Sequence, residues 1–224
     1  MAISNQTYTG AAITPEVTVQ YGKSVLTNNT DYTVSYSNNI NAGKATVTVA
    51  GKGNFTGTLS SWFNISRMNA SGFTVSPIPD QIYTGAEIRP SVTVTNGKTL
   101  LVKDRDYTIS YRNNLVYVGP VTVSVNFTGN YTGTKTLEFN IVPKNVNELT
   151  VSPIADQMHN GSAITPNVSV KDGDITLIKN ANYTLSYSNN VDAGKASVTI
   201  TGKGNYTGER TVYFNIIGNY SEPI

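Results

Sequence analysis

The sequence predicts an all-β chain organised as three tandem β-sandwich domains in an elongated array. Three observations carry this prediction. Landmarks recur at a nearly fixed step: Asn54, Asn130 and Asn205 lie 76 and 75 residues apart, the mark of a tandem repeat. Within each copy, apolar and polar residues alternate with period two, as half-buried strands require. The composition is rich in Thr, Ser, Asn, Gly and Tyr, with only 13% charged residues, which favours strands and turns over helices.

The elements follow one order in each copy. The copies span 1–66, 72–142 and 148–217, with a short tail at 218–224. Gln6, Gln81 and Gln157 open them in segments such as QTYTG, and Pro15, Pro90 and Pro166 follow nine residues later. In PEVTVQYGKSVL the YGK reads as the bend of a hairpin, echoed by TNGKTLL and KDGDITLI. In DYTVSYSNN, Tyr32, Val34 and Tyr36 share one face and Thr33 and Ser35 the other. In GKATVTVAG, Ala45, Val47 and Val49 alternate with Thr46 and Thr48. The third copy repeats both patterns, as Tyr183, Leu185 and Tyr187 and then Ala196, Val198 and Ile200. An aromatic-rich strand, SSWFNI, LEFNI or VYFNI, closes the unit. About six or seven short strands per copy, with turns roughly every 8 to 12 residues, indicate two packed sheets.

Between the last two strands stands a motif that recurs as GKGNFTG, FTGNYTG and GKGNYTG. Glycine-rich loops can cradle phosphate, but such a loop opens a helix. No helical period follows here, and the second copy has Phe127 and Thr128 where its siblings have Gly and Lys. The motif reads instead as a tight turn. Its Gly and Asn take positive φ, and its aromatic, Phe55, Tyr131 or Tyr206, folds back over the end of the sandwich. The second copy departs again at Leu115–Pro120, one residue longer than INAGK and VDAGK, which predicts a bulge or an altered loop. The linkers SRMNASGFTVSPIPD and VPKNVNELTVSPIAD each carry Ser-Pro-Ile, and proline biases such junctions toward extended, semi-rigid geometry.

Composition excludes several classes of function. Each copy is small, so it buries only about 60 to 65% of its unfolded surface, and no cysteine is present to staple it. The net charge is +2. Basic against acidic residues number four to two over 1–68, seven to five over 69–144 and five to seven over 145–224. No continuous basic surface results, so nucleic acid is not an expected partner. No stretch approaches the roughly 18 apolar residues of a membrane span, and MAISNQTYTG lacks the basic and apolar regions of a signal peptide. The stretch is read either as a whole small product or as part of a longer chain.

Catalytic chemistry finds no repeated residue set. His159 is the single histidine and stands where the siblings have Tyr8 and Tyr83, so a Ser-His-Asp triad has no support. Its plain reading is a partly exposed ring near a domain junction. Asp31 and Asp106 become Asn182 in the third copy, so no carboxylate pair repeats. Asp172 and Asp174 fall short of the six or more oxygens of a calcium site and read as solvated turn acids. No cofactor or metal is expected. The Asn-x-Ser/Thr triplets follow from abundant Asn and Thr.

The succession YTG, ITP, DYTVSYSNN, AGKATVTV, GKGNYTG and FNI resembles the short immunoglobulin-like repeats of bacterial surface proteins, with similar domains occurring on tailed-phage virions. The likeness covers nearly the whole chain, three times. It implies three tandem immunoglobulin-like sandwiches acting as spacers, stalks, decorations or weak adhesive modules, with no catalytic set to transfer. Such domains sometimes carry a self-formed Lys-Asn cross-link, which would engage Asn64, Asn140 or Asn215. A partner lysine and acid do not repeat, since Lys44 and Lys195 have Pro120 as counterpart, so the intact mass should equal the sequence mass.

Tyrosines shared by the copies, such as Tyr32, Tyr107 and Tyr183, point to packing. Residues peculiar to one copy are the candidates for an interaction surface: Trp62, Lys103, Arg105, Arg112 and Tyr117. The expected function is non-enzymatic display on the exterior of a phage virion, as a capsid or tail decoration. Its partners would be other virion proteins or host cell-surface glycans and proteins. The alternative is a stalk or adhesion segment of a bacterial cell-surface protein.

Overall fold

A computed structural model of the chain describes residues 3–218; all but the first residue of the tail assigned to 218–224 lies outside the described residues. Among those residues the chain is all-β, with two single-turn 3-10 helices at Ala70–Gly72 and Val146–Glu148. It divides into two compact units. One comprises Met1–Pro77, Ser91–Ser110 and Val123–Leu137, the other Ile78–Pro90, Tyr111–Thr122 and Glu138–Ile224. The division runs through the second repeat, so each unit holds one whole repeat and part of that middle one.

In the first unit a four-stranded sheet runs in the order Gln6–Thr7, Thr58–Ser66, Gly43–Gly51, Tyr32–Ser37. The long strands are antiparallel, with Tyr36 opposite Val47 and Val47 opposite Ser61. Gln6–Thr7 adds in parallel beside Ile65–Ser66. The expected alternation holds: Ala45, Val47 and Val49 are buried together with Tyr32, Phe63 and Ile65. Each buried aliphatic side chain contributes about 1.5 to 3 kcal/mol of transfer free energy. On the outer face Thr48 and Ser60 pair through their hydroxyls at 3.1 Å. The YGK bend is a hairpin, Gln20–Tyr21 against Ser24–Val25, turning at Gly22 with φ +60°.

The second unit repeats this plan. Its sheet runs Gln157–Met158, Glu209–Ile217, Gly194–Gly202, Tyr183–Ser188, again with the short opening strand parallel to the last one. A second sheet, Thr150–Val151, Val170–Asp172, Ile175–Thr176, faces it. Val170 and Leu177 from that side meet Tyr183, Val198 and Ile200 in one buried cluster, which makes the third repeat a two-layer sandwich.

Shared tyrosines serve packing, as expected. Tyr32, Tyr107 and Tyr183 are buried and donate to the carbonyls of Val17, Val92 and Val168 at 3.0, 3.1 and 2.9 Å. Tyr36, Tyr111 and Tyr187 likewise donate to the carbonyls of Pro15, Pro90 and Pro166. The paired asparagines also gain a reason. Asn38, Asn113 and Asn189 sit at φ 55°, 75° and 54°, a left-handed conformation that asparagine tolerates better than most residues.

The longer loop of the second copy is absorbed without a bulge. Ile88 N–H donates to Leu115 O at 2.9 Å, whereas Ile164 N–H donates to the carbonyl of the second asparagine, Asn190, at 2.7 Å. The acceptor has moved one residue along. The strand that follows, Gly119–Phe127, keeps nine residues like its siblings.

Candidate interaction surface

The repeated GKGN turn uses its lysine internally. Lys52 Nζ donates to Asn29 O at 2.6 Å and Lys203 Nζ to Asn180 O at 2.9 Å. In the second copy, which lacks the lysine, Thr128 Oγ1 reaches the carbonyl one residue further along, Arg105 O, at 3.2 Å. The turn lysines are thus tied to the backbone of the fold, and no phosphate is needed to explain them. Gly53, Gly129 and Gly204 take φ +67°, +62° and +68°, but the following asparagines stay out of the left-handed region. Expecting both residues at positive φ was wrong: the glycine alone makes the reversal, which leaves the asparagine side chain for another task.

That task is to latch one repeat to the next. In the first unit Asn130 Oδ1 accepts from Ala42 N–H at 2.8 Å, and its Nδ2 donates to Asn41 Oδ1 at 3.0 Å. Tyr131–Thr132 pairs in parallel with Met68–Asn69 from the linker, and Tyr131 meets Tyr8 edge to face at 5.5 Å. The second unit contains the equivalent contacts. Asn205 Oδ1 accepts from Val118 N–H at 3.0 Å, Tyr206–Thr207 pairs with Lys144–Asn145, and Tyr206 meets Tyr83 at 5.5 Å. The aromatic expected to fold over the sandwich end does so, and Tyr131 and Tyr206 are buried. Burial pushes the Tyr131 phenol up to about 12, reinforced by the neighbouring Tyr8. Tyr206 is raised further, by burial and then by the carboxylate of Asp172.

Asp172 corrects one expectation. It is not a solvated turn acid: Lys144 Nζ donates to it at 2.5 Å and Tyr206 Oη at 3.3 Å, with both members of the ion pair largely covered. Asp174 is exposed. The matching positions in the first unit, Met68 and Asn96, touch through Nδ2 and Sδ at 3.4 Å.

Carboxylates that vanish in one copy are structural. Asp31, Asp106 and Asn182 each accept from the backbone N–H four residues earlier, at 2.8, 2.8 and 2.9 Å. A carboxamide oxygen performs that role as well as a carboxylate. His159 is partly exposed, and its N–H donates to Ile217 O at 2.9 Å. No group of three or more His, Cys, Asp or Glu placed to hold a metal occurs among the described residues. In two copies a lysine does stand opposite the closing asparagine, Lys44 across from Asn64 and Lys195 across from Asn215. Each lysine lies over a ring instead, 4.7 Å from Trp62 and 4.1 Å from Tyr213.

That ring contact bears on the candidates from sequence. Trp62 is 57% exposed, yet Tyr213 holds the same position over the same lysine, so the contact belongs to the fold. Arg105 is spent on its neighbour, with Nη2 at 2.7 Å from Asp106. That guanidinium, and then the Val102 N–H, hold the Asp106 carboxyl below the usual range against the opposing effect of burial. Lys103 is exposed, with its backbone bridged to Tyr107. In the second unit Arg112 ends its strand exposed, and Tyr117 is 55% exposed on the altered loop. Its backbone N–H is tied to Asn114 Oδ1 at 3.1 Å. Sequence reasoning missed the latch; the signal for it was an asparagine kept in a turn that needs only glycine.

No family model matches the sequence, and no curated protein matches it. Solved structures similar to the chain include "Protocadherin gammaB7 EC3-6 cis-dimer structure", at 12% identity over 96% of this chain and 72% of that one, with a TM-score of 0.21. Another is "PcdhgB3 EC1-4 in 50 mM HEPES", at 10% identity over 97% and 74%, again with a TM-score of 0.21. At such scores neither likeness bears on what this chain binds.

Proposed function

We propose that the chain is a non-enzymatic display protein, a set of immunoglobulin-like repeats carried on the exterior of a phage virion as a capsid or tail decoration. The observation that supports this reading most is the use to which the shared residues are put. Tyrosine hydroxyls, turn lysines and Asx side chains are consumed in packing, turns and the latch between repeats. The residues left outward, Trp62 and Lys103 in one unit and Arg112 and Tyr117 in the other, are not shared by all copies. A constant frame with variable exposed groups suits presentation to a partner, whether another virion protein or a glycan or protein of the host surface. No helix among the described residues is long and apolar enough to cross a membrane.

Mass spectrometry and imaging of purified particles test the proposal. The chain should co-purify with capsid or tail proteins and be visible as outward density. Recovery from a bacterial cell-wall fraction, within a longer polypeptide bearing a sorting tail, would replace it with the cell-surface stalk. Replacing Arg112 and Tyr117 together by Ala should weaken attachment without unfolding the chain; unchanged attachment removes those two from the contact.

A further inference from the structure

In every repeat the strand that enters and the strand that leaves lie side by side and point the same way. Gln6–Thr7 pairs in parallel with Ile65–Ser66, Gln81–Ile82 with Ile141–Val142, and Gln157–Met158 with Ile216–Ile217. The N–H groups of Tyr8, Tyr83 and His159 extend the pairing, donating to the carbonyls of Ser66, Val142 and Ile217 at 2.9 Å each. A ladder this short returns little for closing a loop of about 60 residues. Stability alone does not account for its presence in all three copies.

Two sequence landmarks that the cores leave unused reinforce it. The opening glutamine folds back on the entering segment: Gln6 Nε2 donates to Ser4 O at 3.1 Å, Gln81 Nε2 to Pro79 O at 2.8 Å and Gln157 Nε2 to Ala155 O at 2.8 Å. The asparagine of FNI is tied across from the leaving strand. Asp80 Oδ1 accepts from Asn140 N–H at 2.8 Å and from its Nδ2 at 3.3 Å, and Asp156 Oδ1 accepts from Asn215 Nδ2 at 3.0 Å. In the second and third repeats the linker ahead of the entering strand is held as well, by Lys135 Nζ on Phe73 O and by Arg210 Nη1 on Leu149 O.

Parallel strands at the two ends of a repeat have a mechanical consequence. Tension draws the entering strand backward by its N-terminal end and the leaving strand forward by its C-terminal end. The two must slide past each other, so the bonds between them are loaded together. Pulling at the open end of an antiparallel pair instead breaks its rungs one at a time. We infer that each repeat is a load-bearing link, locked against tension along the backbone by its parallel terminal strands and, in the second and third repeats, by the Asp-Asn tie across them. That function goes beyond display and holds whichever surface carries the chain.

The third repeat, within the full chain, provides the test. The chain has no cysteine, so two introduced thiols define the pulling direction. Handles on Ala155→Cys and Gly218→Cys load the terminal strands in shear. Handles on Asp192→Cys and Gly218→Cys lie just beyond Gly194 and Ile216, the open end of an antiparallel pair, and unzip it. At equal force in a single-molecule trap the first pair should hold at least about tenfold longer, the worth of one to two hydrogen bonds broken together. Asp156→Ala should shorten that lifetime about fivefold, the worth of one such bond, and leave the unzipping lifetime unchanged. It should barely move the urea midpoint, since Asp156 and Asn215 are both exposed. Equal lifetimes in the two directions, or an Asp156 effect that is absent or the same in both, overturns the inference. Co-purification with particles is indifferent to these outcomes, so load bearing and display fail separately.

Discussion

Gly208 offers a direct measure of the contact between linker and turn. Its φ is +81°, and a methyl group there would stand 2.9 Å from both Oδ1 and Nδ2 of Asn145. Asn145 is the N-cap of Val146–Glu148, accepting from Asn147 N–H at 2.9 Å. Gly57 has nearly the same conformation, φ +89°, with nothing within 4 Å of its added Cβ. Placing an L residue in the left-handed region costs about 1 to 2 kcal/mol at either site. At Gly208 the Asn145 side chain must also swing away, losing a cap worth about 1 kcal/mol. Gly208→Ala should therefore destabilise the third repeat by roughly 2 to 3 kcal/mol, and Gly57→Ala the first by about 1 to 2. Amide exchange in urea, followed in Ala196–Ile200 and in Ala45–Val49, reads each repeat separately. In an Asn145→Ala background the excess cost at Gly208 should disappear. Equal costs at the two glycines, or an excess that survives the loss of Asn145, would refute the assignment of Asn145 as the linker contact of this turn.

Alkali should loosen the first unit. The Tyr131 phenol, held up to about 12 against an ordinary 10, stays neutral in the fold while the unfolded chain ionises. Its contribution is complete below pH 10, declines between pH 10 and 12, and amounts to roughly 2 to 3 kcal/mol at most. Urea midpoints against pH should show that decline, and Tyr131→Phe should flatten it. Asp172→Ala leaves the Lys144 ammonium uncompensated in a largely covered site and should cost about 2 to 3 kcal/mol, whereas Lys144→Met with Asp172→Asn copies the first unit's Met68 and Asn96 and should cost under about 1; thermal unfolding distinguishes the two. Asp106→Asn should change stability by less than about 1 kcal/mol, because Asn182 already performs the same role, while Asp106→Ala abandons the Val102 N–H and should cost about 1 to 2 in the same assay.

The sheets were legible in the sequence because period two is a local signal. Ala45, Val47 and Val49, Tyr32 with Tyr36, and the three Gly-centred hairpins all declare themselves within ten residues. The two-residue pairings were not legible. Gln6–Thr7 beside Ile65–Ser66, or Tyr131–Thr132 beside Met68–Asn69, are too short for any periodicity and join distant parts of the chain. Chemistry was misread where one residue type serves two purposes. Asp172 looked like a turn acid because it stands beside Gly173, and only the fold brings Lys144 to it from 28 residues away. The five candidate surface residues were chosen as peculiar to one copy, which Lys103 is not, since Lys179 holds its place in the third copy. Two of them, Trp62 and Arg105, proved to have local partners, which uniqueness in an alignment of repeats does not reveal.

The two junctions share a constant part and a variable part, and the difference explains how such a chain tolerates change. The constant part is backbone: a two-residue parallel pairing, an asparagine accepting from a main-chain N–H, and a buried ring edge to face with another. The variable part is side chain: Met68 with Asn96 in one unit, Lys144 with Asp172 in the other. Main-chain recognition asks little of sequence, so the donor facing Asn130 and Asn205 is Ala42 in one case and Val118, on the lengthened loop, in the other. Selection on the joint then falls on a few positions, the glycine, the asparagine and the aromatic of GNYTG. In the second and third copies the motif carries one half of a joint, and the outward faces of the strands are left free to differ.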